Sequence, residues 1–343
     1  VLSPVVESFH IAQNVYVERM VNKMMNIRAI GNKEQFISND RLMGRSMIML
    51  STIGFGTIGM FSKFAYASGI DAPLLLALRF LVAAVALWFY FLIFNREGIR
   101  ISRKELFTCA ALGLAGYGIF STLLFKAFET TPASIVSLLF FSYPVFALIL
   151  DWIVTKERPD AQLWISTSMI LCGISVGVIG SLTGGFHTGM LLAIFGALWY
   201  AVYVIATRRL LVNLKPQTVG LYVISFAALG FWLMGGPITS RLHLVTGWAW
   251  IAVLAIGLVS TVMALLSFFS GLDKLGSAEA SQIGTFELIV SLSLAAFVLG
   301  ERVSLPLLLG AGFILFGIVM GQLKSSDRPA SCGDDVQLQV GCD

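Results

Sequence analysis

The sequence predicts an all-α integral membrane protein with ten transmembrane helices in two inverted five-helix repeats. Three observations predict it: a composition poor in charge, ten apolar runs of bilayer-spanning length, and one pattern written twice 144 positions apart. Of 343 residues, 57% are hydrophobic and 12% charged, whereas soluble domains carry about 25% charged residues. Too few polar groups are present to clothe a water-facing surface. The net charge of +4 is too small to point to nucleic acid, so no nucleic-acid partner is expected.

A helix of roughly 20 apolar residues crosses about 30 Å of hydrocarbon. Runs of that kind lie at about 46–67, 72–94, 106–125, 132–153, 161–181, 188–207, 216–237, 248–270, 277–299 and 303–323. None alternates apolar with polar as barrel strands do, so each span satisfies its own backbone as helix. Span one contains "GFGTIG", Gly54 to Gly59. That pattern binds dinucleotides only between a strand and a soluble helix; within a span it reads as close packing or a flexible gate. Lys63 and Lys126 come near the ends of spans one and three, where snorkelling to the interface accounts for both.

Loops facing the cytoplasm retain Lys and Arg. Arg19, Lys23, Arg28, Lys33, Arg41 and Arg45 precede span one, and Arg96, Arg100, Arg103 and Lys104 join spans two and three. Lys156 and Arg158, then Arg208, Arg209 and Lys215, then Lys274, then Lys324 and Arg328 continue on that side, whereas the opposite loops offer Lys126, Arg241 and Arg302. A multi-pass inner (plasma) membrane protein with both termini cytoplasmic is expected. Residues 1–43 lack the apolar core of a secretory signal. They include "VYVERMVNKMMNIRAI", readable as an amphipathic surface helix, as disorder, or as an extension upstream of a working start at Met24, Met25 or Met43. Residues 324–343 read as a polar, disordered tail.

"VTKERPDAQLWISTSMILCGISVGVIG" from Val154 is echoed by "VLGERVSLPLLLGAGFILFGIVMG" from Val298. At an offset of 144, Phe125 falls on Phe269, Ser137 on Ser281, Glu157-Arg158 on Glu301-Arg302, Leu171 on Leu315, Gly173 on Gly317 and Gly177 on Gly321. The halves are 44–181 and 182–323. Five spans is an odd number, so the second half enters from the opposite side. Inverted repeats are a recurrent plan of secondary transporters, whose substrate sites lie near the midplane where the halves meet.

"PLLLALRFLVAAVALW" in span two, "ASIVSLLFFSYPVFALIL" in span four, "GALWYAVYVIATRR" in span six and "GSAEASQIGTFELIVSLSLAAFVLGE" in span nine resemble the drug/metabolite transporter superfamily, in particular its ten-helix EamA-type exporters. The resemblance covers about Met43 to Gln322. It implies export or exchange of a small metabolite, an amino acid or related compound, with protons or a concentration gradient as driving force. It also leaves open a nucleoside-like or drug-like substrate. A membrane scaffold or sensor without flux is the alternative from another class. The family usually writes Glu-Pro in span nine; here Leu288 follows Glu287, while span four keeps Tyr143-Pro144. A helix distortion in the first repeat without a counterpart in the second is therefore expected.

Glu287 is the leading candidate for substrate contact. A carboxyl halfway along a span is costly, roughly 2.5 to 3.5 kcal/mol on insertion scales, and should face the bundle or a water-filled cavity. Ala280, Gly284 and Ser291 share its helical face. It reads as a partner for a substrate ammonium, as a proton-linked carboxylate, or as a hydrogen-bonded group joining two helices. Arg79, with Ala72, Ala83 and Ala86 on its side, keeps its charge and needs carbonyls, an acid or water; packing or gating competes with ligand contact there. Trp199 and Tyr203 on span six, Tyr117 and Ser121 on span three, and Ser137 on span four are candidate lining residues. Flat apolar area with one polar group suits amphiphilic metabolites, though each could equally be packing. Glu157 and Glu301 read as caps at span ends. The paired glycines Gly173-Gly177 and Gly317-Gly321 predict that spans five and ten meet and join the halves, consistent with four-helix relatives that dimerise through their last helix; the rival is packing within each half. A monomer or homodimer is expected, with the lipid bilayer as surroundings. Cys109, Cys172, Cys332 and Cys342 have no metal spacing, and His10, His187 and His243 are scattered. No metal, cofactor or enzymatic activity is expected, nor ATP-driven pumping.

Overall fold

The computed structural model describes residues 40–156, 158–179, 188–234, 241–245 and 247–325. Ten long helices account for most of them: α1 Asp40–Ala67, α2 Ala72–Phe94, α3 Arg103–Thr130, α4 Ala133–Thr155, α5 Ala161–Ile179, α6 Thr188–Leu210, α7 Pro216–Met234, α8 Gly247–Leu275, α9 in two pieces, Ser277–Gly284 and Phe286–Phe297, and α10 Leu305–Ser325. Nine have the length and apolarity to cross a bilayer, and α10 contains the shorter apolar stretch Leu305–Gly321. All ten expected spans are helical. The face bearing Asp40 and Ser325 also carries the Lys and Arg clusters and is called the basic face below.

Local sequence fixes the helix starts. Asp71 accepts from the Leu74 amide with Pro73 in the first turn of α2, and Ser102 and Glu105 form a reciprocal capping box at α3. Residues 1–39, Glu157, 180–187 and 326–343 lie outside the described residues, and with them fall the surface-helix and tail expectations.

The halves interleave. The α5–α10 interface is the most extensive in the bundle, as the glycine pairs predict, and α2 packs on α7 across the same divide. Gly173 faces Gly310 so closely that a Cβ on either would strike the other's carbonyl oxygen, while Gly317 faces Ser166. Positions 166 and 310 are 144 apart, as are 173 and 317, so one contact is the other with the halves exchanged. That is the signature of a pseudo-twofold axis. The pairing differs in detail from two matched GxxxG grooves, because Gly177 also packs on Leu138 of α4. The Ser166 hydroxyl donates to the Gly317 carbonyl at 2.6 Å, and the Gln162 side-chain amide donates to that of Met320 at 2.7 Å. The same exchange relates Gly113, set against the Val223 carbonyl, to Gly257, set against that of Arg79.

Five helices depart from regular geometry within their length. Both α3 and α8 contain one π-helical turn, Leu112–Tyr117 and Leu258–Met263. Both α4 and α9 are interrupted, at Phe141–Ser142 and at Thr285. The expectation that the second repeat lacks the distortion is therefore wrong. Pro144 removes an amide from α4; in α9 the Thr285 hydroxyl donates to the Gln282 carbonyl at 2.6 Å and competes with the helical ladder. Thr57 does the same to Gly54 in α1, at 2.6 Å, where "GFGTIG" breaks the helix.

Replacing Gly173 or Gly310 by Leu should lower the thermal unfolding midpoint in detergent, overpacking costing about 1–3 kcal/mol or more. Gly312→Leu, where a Cβ meets open space, should leave the midpoint close to that of the parent protein.

Candidate functional site

The π turn of α3 and the interruption of α4 adjoin a cluster of aromatic rings. Tyr117 of α3 stands 5.4 Å, ring centre to ring centre, from Tyr203 of α6, 5.5 Å from Phe120 and 5.6 Å from Phe80 of α2. Tyr200 of α6 lies 4.7 Å from Phe120, 5.3 Å from Phe140 and 5.1 Å from Tyr143, the last two from α4. Rings offset or edge-on at these spacings attract one another. The wall is therefore built across the two halves.

Glu287 completes it from α9. The interruption at Thr285 places this carboxyl in the first turn of the segment Phe286–Phe297, where the helix dipole favours negative charge. It acts electrostatically on Tyr143 and Tyr200. Among the described residues, no donor or cation bonds to it. Glu287, Tyr143, Tyr200 and Tyr203 are all half-buried. Gly284, one turn before Glu287, faces open space.

Arg79 adjoins the wall through Phe80. It is 3% exposed; its Nε donates to Thr261 Oγ1 at 2.9 Å, and its guanidinium carbon stands 4.8 Å from the Phe125 ring centre and 5.1 Å from that of Phe80. Thr261 in turn donates to the Ile256 carbonyl at 2.8 Å within the π turn of α8. Ser260, its neighbour, sits 2.7 Å from Thr57 at the break in α1. The corresponding π turn of α3 is held by Trp199, whose indole N–H donates to the Ala115 carbonyl at 2.9 Å. Trp199 and Tyr203 also border a groove of about 420 Å³ between α3 and α6.

Of the seven residues expected from sequence, Glu287, Tyr117 and Tyr203 come together and Trp199 stands at their edge. Ser137 binds Ser291 at 2.6 Å in the seam between α4 and α9. Arg79 and Ser121 are buried in helix packing. Sequence reasoning missed Tyr143, Tyr200, Phe120 and Phe140. A signal existed for the first two: Tyr143 is the repeat equivalent of Glu287, and Tyr200 lies three residues from Tyr203 on one helical face.

The two ends of the bundle differ in how α4 meets α9. At the face away from the basic clusters, the halves Ala133–Phe140 of α4 and Phe286–Phe297 of α9 pack together through Leu138, Leu288, Leu292 and the serine pair. Glu301, in the α9–α10 connection, caps α4 there, so the expected cap exists but serves a helix of the other half. At the basic face, Tyr143–Thr155 and Ser277–Gly284 share no comparable interface. Arg41 and Arg45 pair with Glu279, and Lys274 with Asp40, near the surface, where each bridge contributes about 0.2–1 kcal/mol.

Ten spans in two inverted halves that meet around Glu287 and its tyrosine neighbours define an inverted-repeat membrane transport protein. The chain belongs to the EamA-like transporter family, whose profile matches residues 42–179 and again 187–321. It is 22% identical to a Bacillus subtilis (strain 168) protein named "Uncharacterized transporter YcbK", over 86% of this chain and 99% of that protein. It is 24% identical to "Uncharacterized transporter YwfM" of the same organism, over 80% and 91%. A solved structure described as "Crystal structure of protein" shares the fold with a TM-score of 0.57 at 20% identity, covering 84% of this chain and 98% of its own.

Thr261→Val strands the Arg79 Nε in a packed interior and should cost about 1–3 kcal/mol. A lowered thermal midpoint in detergent, with Thr261→Ser near the parent value, is the expected result.

Proposed function

We propose that this chain exports or exchanges a small amine-bearing metabolite, an amino acid or related compound, by alternating access across the plasma membrane. The observation that carries the reading is a carboxyl with no bonded partner among the described residues, beside a tyrosine-rich wall built from both halves. Glu287 would accept the substrate ammonium, and Tyr117, Tyr143, Tyr200 and Tyr203 would offer apolar faces and hydroxyls to the remainder. Cation and aromatic face attract by about 0.5–2 kcal/mol, more when water is excluded. Trp199 serves at the margin of the site, and Ser137 belongs to the seam that must part when the opposite face opens. Arg79 and Ser121 have a packing role on this reading.

The positive-inside bias assigns the basic face to the cytoplasm, so the arrangement is inward-facing and both chain ends are cytoplasmic. One carboxyl holds a proton or an ammonium, not both. Competition of that kind couples solute movement to protons without further machinery. The two halves present similar interruptions to the site from opposite directions, so inward and outward states can be near mirror images of comparable energy.

Saturable uptake by proteoliposomes of one class from a panel of labelled amino acids and other metabolites, tested with and without a pH gradient, is expected. Glu287→Gln should cut that flux about ten- to a hundredfold, the cost of losing a hydrogen bond to a charged group. Unchanged flux in this variant would remove Glu287 from the mechanism, and no flux with any class would overturn the transport reading of the site. Cysteines placed beside Lys104 and Lys215 should be shielded from impermeant thiol reagents in intact cells, and those beside Arg302 labelled; the reverse pattern would invert the assignment of faces.

A further inference from the structure

Glu301 makes a contact that a loop residue in a helical bundle does not need for its own stability. Its Oε1 accepts from the Ala133 amide at 2.6 Å, and its Oε2 accepts from the Ser134 amide at 2.9 Å and the Ser134 hydroxyl at 2.7 Å. These amides are the orphan donors at the start of α4. The residue before them, Pro132, stands at the N-cap position and supplies no side-chain cap. The cap comes instead from 167 residues away, in the other half of the protein. Gly300, with φ of +67°, turns the chain left-handed just before it, and the Glu301 amide returns to the Ala295 carbonyl at 2.9 Å. Both ends of the connection are thus fixed so that the carboxylate points at α4. Lys63 of α1 stands within electrostatic reach.

The contact lies at the face where α4 and α9 pack together, the closed end on the transport reading. It ties the first turn of α4 to the end of α9, and these are the two segments that the Ser137–Ser291 bond and Leu138, Leu288 and Leu292 hold together below it. Opening that face requires the segments to part, and the carboxylate cannot follow both. We infer that Glu301 is a gate residue: its carboxylate latches the far end of the pathway shut by capping α4, and the latch is released in each cycle. It touches no substrate. It positions the helices that must separate, and it favours the state open at the basic face. The inference rests on the transport reading, yet its test need not.

The test is reciprocal accessibility in the full chain, reconstituted in nanodiscs with Cys109, Cys172, Cys332 and Cys342 replaced. Ser291→Cys reports on the far seam and Gly284→Cys on the cavity open toward the basic face. With Glu301→Ala, labelling of the first by a polar thiol reagent should rise about tenfold, as expected for losing charge-assisted hydrogen bonds. Labelling of the second should fall. Glu301→Gln, which keeps an acceptor without the charge, should lie between. Unchanged rates at both positions in folded protein would overturn the latch. So would a rise at both, which marks loosening without exchange of states, and so would failure of both variants to fold, which would make the carboxylate a structural cap only. Because no flux is read, a transport failure with reciprocal labelling would defeat the transport reading and leave the latch standing. Normal parental flux with unchanged labelling in the variants would defeat only the latch.

Discussion

In hydrocarbon every backbone amide and carbonyl must find a partner inside the protein, yet a pathway between two faces requires helices that bend and stop. The interruptions reconcile these demands with short local bonds. Thr57 serves Gly54, Thr285 serves Gln282 and Thr261 serves Ile256, each from its own helix. Trp199 serves Ala115 from the neighbouring one. The placement of Glu287 and the shape of the seam follow from where those bonds fall.

The halves touch through contacts of two kinds. Between α5 and α10 the backbones themselves are in contact, with glycine and serine permitting the approach and Ser166 and Gln162 bonding to carbonyls. Such a surface has no room to slide. Between α4 and α9 the contact is made by side chains, chiefly leucines and one serine pair, which can separate and find other partners. A rigid axis beside a separable seam is the mechanical requirement of rocking one bundle against another.

Much of this was legible in the sequence because the physics involved is local or periodic. Apolar runs gave the ten helices, and the 144-residue echo gave the inverted halves and the meeting of α5 with α10. Glu287 stood out because a carboxyl in a span must have a reason. What escaped was long-range or chemically unmarked. Nothing near Arg79 announces Thr261, 182 residues away. Gly310 belongs to no spaced pair, yet it is the residue that meets Gly173. The break in α9 was missed because proline was the only breaker sought, whereas a threonine hydroxyl bonding three residues back does the same work. Tyr143 could have been found by applying the repeat offset to Glu287 itself.

The interruptions of α4 and α9 look alike but differ in permanence. In α4 the missing amide of Pro144 is a matter of covalent structure, so no rearrangement can restore a continuous ladder there. In α9 every residue around Thr285 keeps its amide, and a single hydroxyl holds the irregular turn. One kink is built in; the other is reversible. Inherited symmetry therefore does not extend to what holds each interruption: covalent structure in α4, a single hydroxyl in α9.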